Sequence, residues 1–199
     1  MKNVHWRLIR SAGFSLIDMV ATLAVIGTLA AIALPQAGDA LDRMRLGMAE
    51  RDVERELQFA RLKAVSSNRP MRVRFDCPAA GQFRAVEVIG TSAAPDSADA
   101  DSNTTRCSET AYPYSPTGAD KSRLTRPNND GPIRLLQKQA TFSTKKTLEF
   151  WPDGSVHADT GGVNPWPNVG VTGVTLTLTR KGKTKNIVVN GNGKILMDR

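Results

Sequence analysis

Between Gly13 and Pro35 the chain passes through 21 residues, Phe14 to Leu34, with one formal charge among them, Asp18. A helix of that length rises about 31 Å, close to the ~30 Å hydrocarbon core of a bilayer. Lys2, Arg7 and Arg10 precede the run. Fixed positive charges there predict a cytoplasmic N-terminus, with the bulk of the chain beyond the inner membrane. A secretory signal peptide has a shorter apolar region of roughly 7–15 residues, although the "AIA" at 31–33 keeps a cleavage site of that kind open. A carboxylate inside a membrane helix is costly and so marks a functional candidate. Asp18 is that candidate.

Past Pro35 the periodicity remains helical. Ala37, Leu41, Met44, Met48, Val53, Leu57, Ala60 and Ala64 recur mostly at steps of three and four. That spacing predicts one apolar face, packed on a globular head. Asp39 with Arg43 and Asp52 with Arg55 are placed to pair along the surface. Pro35 is expected to kink the helix, and Gly38 and Gly47 to weaken it. Asn68-Arg69-Pro70 is a stop. From Phe14 to Ser66 such a helix is about 80 Å long.

The remainder reads as β structure. "MRVRFDC" at 71–77 alternates apolar and charged residues, which predicts a strand with one wet face. "FRAVEVIG" at 83–90 follows the turn "PAAG" and is its hairpin partner. Residues 91–131 are rich in Ser, Ala, Asp, Asn, Thr and Pro and predict a long surface loop. "PDG" at 152–154 divides two short strands within 145–158, and 161–173 is loop around Trp166. "VTLTLT", "TKNIVVN" and "KILMD", separated by "RKGK" and "GNG", form a three-stranded antiparallel meander. The fold class is therefore α+β: a long N-terminal helix against an antiparallel sheet. Cys77 and Cys107 lack the spacing of a zinc site. In an exported domain a single disulfide is their natural use, tying the loop to the strand with about 3–4 kcal/mol.

Charge is uneven. The net charge is +8; residues 77–120 carry −4 and residues 121–199 carry +8. A basic distal region suits an acidic partner or a solvated face. Lys181, Lys183, Lys185, Lys194 and Arg199 fall in or near adjacent hairpins, and alternate lysines on one strand share a face that could track phosphates without reading bases. Lysine supplies point charges there, without the fork of arginine. Catalytic and metal chemistry are poorly represented. "DADSN" at 99–103 opens like a calcium loop, but Thr104 and Thr110 stand where Gly and Glu are required. "GNGK" at 191–194 lacks the spacing of a phosphate loop. His157, with Asp153 and Asp159 near it in sequence, has no second ligand and is read as a strand residue. No serine or cysteine lies in a nucleophile motif, so no enzymatic activity, cofactor or metal is expected.

"GFSLIDMVATLAVIGTLAAIALP", with its short basic leader, Gly13, Phe14, the acid at Asp18, the small-residue-rich apolar run and Pro35, resembles the N-terminal signature of type IV pilins and type II secretion pseudopilins. The resemblance implies cleavage by a prepilin peptidase between Gly13 and Phe14 and N-methylation of Phe14. It divides the chain into a cytoplasmic leader (1–13), a transmembrane or fibre-core helix (14–35), its amphipathic continuation (36–67) and a periplasmic head (68–199). Partners follow from it: other pilin or pseudopilin subunits, the peptidase, the inner-membrane assembly platform and inner-membrane lipid. The family usually has Glu where this chain has Asp18, one methylene shorter. "FWPDGS" and "IVVNGNGKI" are similar to the GspH/FimT branch, whose members are minor subunits thought to sit at the fibre tip and help start assembly. Some FimT-like proteins bind DNA through a basic C-terminal region, which is the alternative for the lysines above.

Overall fold

The computed structural model describes residues 15–91, 93–114, 127, 129–161 and 165–197. It divides into two compact units, Met1–Leu41 and Asp42–Arg199.

In the first unit the described residues are helical from Leu16, the start of α1 (Leu16–Ser67). This is a helix long and apolar enough to cross a membrane. Its large apolar side chains are exposed, from Leu16 and Ile17 through Leu23 and Ile26 to Leu34. Asp18 lies in its first turn, and α1 continues through Pro35. Gly13 and Phe14 lie outside the described residues.

The second unit is built on residues 42–67 of α1. Leu46, Ala49, Val53, Leu57, Ala60 and Ala64 are buried against the sheets. Met44 and Met48, expected on the same face, are 65% and 43% exposed. The step from Met48 to Val53 is five residues, about 140° around a helix. It carries the pattern from an outward stripe to the inward one, so the expected single face is two. The helix ends as its sequence predicts. Asn68 takes a positive φ of 52°, and Arg69 N–H donates to the Ala64 carbonyl at 3.2 Å, closing the last turn. Pro70 follows.

Two antiparallel sheets receive the helix. The first has the order β3-β2-β1-β5-β6 and the second β4-β7-β8-β9. The strands are β1 (Met71–Phe75), β2 (Gln82–Glu87), β3 (Arg134–Leu135), β4 (Thr141–Thr144), β5 (Leu148–Phe150), β6 (Val156–Ala158), β7 (Val174–Arg180), β8 (Lys183–Val189) and β9 (Ile195–Met197). The expected hairpins are present: β1 with β2, β5 with β6 around Gly154, and the β7-β8-β9 meander. Gly193, in the β8–β9 turn, has φ of +74°. A Cβ there would also stand 2.8 Å from the Gly154 carbonyl oxygen, so both its conformation and its contact require glycine.

Two expectations about the first sheet are corrected. The second face of β1 is not wet: all five of its residues are buried. The region 91–131 is not a structureless surface loop over its described part. It carries 3-10 turns at Ser97–Asp99 and Thr104–Cys107, and buries Asp99, Arg106 and Cys107. The expected disulfide joins Cys77 to Cys107, with Cα atoms 5.0 Å apart.

Candidate functional site

The charged face of β1 and β2 is buried beneath the loop, and arginine makes that arrangement possible. Arg72 and Arg74 alternate with Val73 along β1, and Arg84 stands opposite Arg74 in β2. Their guanidinium groups replace water with backbone carbonyls. Arg74 donates to the carbonyls of Asp99, Ala100, Asp101 and Asn103 at 2.8–3.2 Å. Arg84 donates to the carbonyls of Gly131, Arg106 and Tyr112. Irregular backbone cannot pair its own carbonyls as a sheet does, and buried carbonyls need donors. A planar five-donor fork meets several at once.

Arg106 belongs to the loop itself. It donates Nε to Asp99 Oδ1 at 3.0 Å, Nη1 to Asp130 Oδ2 at 2.8 Å and Nη2 to the Glu87 carbonyl at 2.5 Å. Its guanidinium also lies 4.4 Å from the Tyr112 ring centroid. Arg72 pairs with Glu149 at 2.6 Å and covers the Trp166 ring at 4.1 Å. Burial, then the neighbouring Arg72, lowers Arg74 to about 10; it stays protonated at neutral pH.

Burial also lifts Asp99 from 3.8 to about 6, against the pull of Arg106. Between those values the folded chain keeps a proton that the unfolded chain has released. This carboxyl therefore subtracts stability as pH rises through the window. Asp99→Asn retains an acceptor for Arg106 and has no charge to bury. Relative to wild type, the variant is expected to gain about 3 kcal/mol between pH 4 and pH 7, from two units at 1.36 kcal/mol each. Denaturant midpoints of both proteins across that range measure it.

His157 has a partner set unlike a catalytic one. Its Nδ1 lies 2.6 Å from the Trp166 carbonyl and its Nε2 3.1 Å from Ser155 Oγ, while Ser155 Oγ donates to Asp153 Oδ1 at 2.6 Å. A nucleophilic triad places imidazole between hydroxyl and carboxylate. Here the hydroxyl stands between the other two, and its proton is held by the carboxylate. The ring stacks on Trp151 at 4.2 Å. Among the described residues no group of His, Cys, Asp or Glu is arranged to hold a metal.

The C-terminal lysines are dispersed. Lys183 and Lys185 share the face of β8 that carries Ile187 and Val189, both fully buried. Lys185 approaches Glu50 at 3.9 Å and Lys181 pairs with Asp42 at 3.1 Å, beside the buried Arg180–Asp42 pair. Lys194 is at the β8–β9 turn, and Arg199 lies outside the described residues. The expected phosphate-tracking stripe is thus committed in part to carboxylates of α1.

Sequence reasoning missed a different basic surface. From Asp42 onward, every charged residue of α1 that is exposed is an arginine, Arg43, Arg45, Arg51, Arg55 and Arg61, and of these Arg55 pairs with Asp52 at 2.6 Å. The acids of that stretch, Asp42, Glu50, Asp52, Glu54 and Glu56, are buried or half-buried. The signal was present as an even mixture of acids and bases whose phases on the helix differ.

A helix whose first part is long and apolar enough to cross a membrane is followed along the chain by a compact unit of two antiparallel sheets with a disulfide-tied loop layer. The family model described as type II transport protein GspH matches residues 49–193, and the chain belongs to that family of pilins and pseudopilins. Among solved structures it is similar to the type IV minor pilin FimU of Pseudomonas aeruginosa strain PAO1, in two crystal forms. In space group P21 the identity is 14% and the TM-score 0.44, covering 79% of this chain and 90% of that one. In space group P65 the values are 13% and 0.41, covering 77% and 93%. No curated protein matches the chain.

Proposed function

We propose that this chain is a minor pilin or pseudopilin, a non-catalytic structural subunit. It is cleaved by a prepilin peptidase after Gly13, N-methylated on Phe14, and held in the inner membrane by α1 with its head in the periplasm. From there the assembly platform incorporates it into a type II secretion pseudopilus or a type IV pilus, at the tip. The observation that carries this reading is the join of an apolar helix bearing a lone carboxylate, Asp18, to a head of the GspH family. A secreted enzyme has no use for that carboxylate, whereas a fibre core does. Processing creates a new terminal amine, and Asp18 supplies the charge that pairs with it in a low-dielectric bundle.

The alternative, DNA uptake through the C-terminal hairpins, has no comparable support, because Lys181 and Lys185 reach carboxylates of their own chain. Mass spectrometry of the mature protein tests the main reading. The expected N-terminus is methyl-Phe14. A retained leader, or a terminus near residue 34, would overturn it.

A further inference from the structure

Where β1 ends, several ties fix the loop layer to the sheet. The disulfide joins Cys77 to Cys107, and Arg74 holds the carbonyls of Asp99, Ala100, Asp101 and Asn103. Lys145, between β4 and β5, pairs with Asp76, and the Thr147 hydroxyl donates to Asp101 Oδ1. These residues line a cleft of about 290 Å³. That is many times one water's share of about 30 Å³ and near the lower end of ligand pockets, about 300 Å³. The lining sets the cations Arg74, Lys145 and Lys146 against the carboxylates Asp76, Asp101 and Asp159, so its charges cancel. Bonding capacity is left over. Arg74 is 3% exposed, yet its Nε has no acceptor, and a buried donor of that kind calls for a partner. Asp159 takes the Gly161 N–H on Oδ1 at 2.7 Å, and its Oδ2 has no hydrogen bond among the described residues. The exposed Lys146 ammonium and Thr104 hydroxyl also make none among them.

We infer that this cleft is a binding site for a neutral polyhydroxylated ring, a hexose or N-acetylhexosamine unit. Charge selects the class. An anion would meet the three carboxylates, and a cation the three positive groups, so a charged ligand of either sign gains little. A zwitterion needs its two poles segregated. Here they are interleaved: Asp76 is paired with Lys145, and Arg74 donates to the Asp101 carbonyl at 3.1 Å. A hydroxyl both donates and accepts, so one polyol satisfies the Arg74 Nε donor, the Lys146 ammonium and the Asp159 Oδ2 acceptor together. Phe75 and the disulfide supply the apolar part of the lining, against which the C–H face of a sugar ring packs. The ties described above hold these groups in place before a ligand arrives, which lowers the ordering cost of binding.

The test is saturation-transfer NMR on the full-length chain in an amine-oxide detergent, since alkyl glycosides would compete. The probes are glucose and N-acetylglucosamine, with acetate, inorganic phosphate and alanine as charged comparisons. Transfer to the ring protons of a neutral sugar is expected, with a dissociation constant on the order of 1 mM, as suits a ligand of about a dozen non-hydrogen atoms. Lys146→Ala and Asp159→Ala should each weaken it about tenfold. Lys194→Ala removes the same charge outside the cleft and should leave it unchanged. Lys146 is exposed, so its variant reads the site even where Asp159→Ala disturbs the fold. The N-acetylglucosamine tetramer separates two sources of the ligand: tighter binding than the monomer marks a glycan chain, and equal binding a free sugar. Either result upholds the site. No transfer to the neutral sugars, transfer unaltered in Lys146→Ala, or transfer confined to acetate, phosphate or alanine would overturn it.

Discussion

Arg106→Met is expected to destabilise the head by about 3–5 kcal/mol, the cost of breaking a buried ion pair by removing one partner. Typical domains are stable by about 5–15 kcal/mol, so this is a large fraction of the total. Methionine keeps most of the stem and loses the fork. Two carboxylates are then stranded: Asp99 is fully buried and Asp130 is 5% exposed. Asp130 loses both of its bonds from Arg106, at 2.8 and 3.0 Å, and the Glu87 carbonyl loses a donor. Arg84 is 3.9 Å from Asp130 and already serves three carbonyls, so it is poorly placed to compensate. A triple variant, Arg106→Met with Asp99→Asn and Asp130→Asn, separates lost attraction from stranded charge. It should recover part of the loss, because amides cost less to bury than carboxylates. Denaturation followed by tryptophan fluorescence reads the result. Equal stability of Arg106→Met and wild type would show that the loop layer does not depend on this network. The disulfide alone cannot replace it, since Cys107 anchors one point and Arg74 orders Asp99 through Asn103.

The elements that sequence predicted well are those fixed by local chemistry. Pro-Asp-Gly and Gly-Asn-Gly specify turns wherever they occur, so β5-β6 and β7-β8-β9 follow from a few adjacent residues. Asn68 and Pro70 stop α1 for reasons contained in four residues. What failed depends on partners far along the chain. Alternation in "MRVRF" states that the two faces of β1 differ, but not what lies on either. The charged face is covered by carbonyls 25 to 29 residues away from Arg74. A clue was available in composition: an acidic segment, 77–120, follows a strand with alternate arginines. The helix shows a similar limit. Steps of three and four are satisfied by Met44–Met48 and by Val53–Leu57 alike, and only the five-residue step between them reveals two stripes. Alternation places the lysines of β8 on a common face, but that face is the one carrying the buried Ile187 and Val189, with Lys185 near Glu50 of α1, which alternation alone does not specify.

Asp18→Ala is expected to leave cleavage intact and to reduce incorporation into fibres about a hundredfold, equivalent to roughly 3 kcal/mol. The argument begins with position. Asp18 is in the first turn of α1, among side chains such as Ile17 and Val20 that are 72% and 57% exposed within the isolated chain. In the proposed fibre those apolar side chains are covered by neighbouring helices, and the dielectric around the carboxylate falls. An isolated carboxylate there is strongly disfavoured, as is an isolated terminal amine. Together they specify the stagger of adjacent subunits, since only one axial offset brings the two charges into contact. Alanine removes the acid and leaves the neighbour's Phe14 amine buried without a counter-charge. In the proposed pathway cleavage after Gly13 precedes fibre formation, and Asp18 lies downstream of that bond in sequence, so processing should continue. Asp18→Asn should fall nearly as far as alanine, because an amide hydrogen-bonds but does not neutralise. Asp18→Glu retains the charge, lengthens the reach by one methylene, and should assemble at least as well as wild type. Quantifying each variant in sheared fibre and membrane fractions, with the N-terminus checked by mass spectrometry, reads the two steps separately. Normal fibre incorporation of Asp18→Ala would show that the carboxylate does not set subunit register.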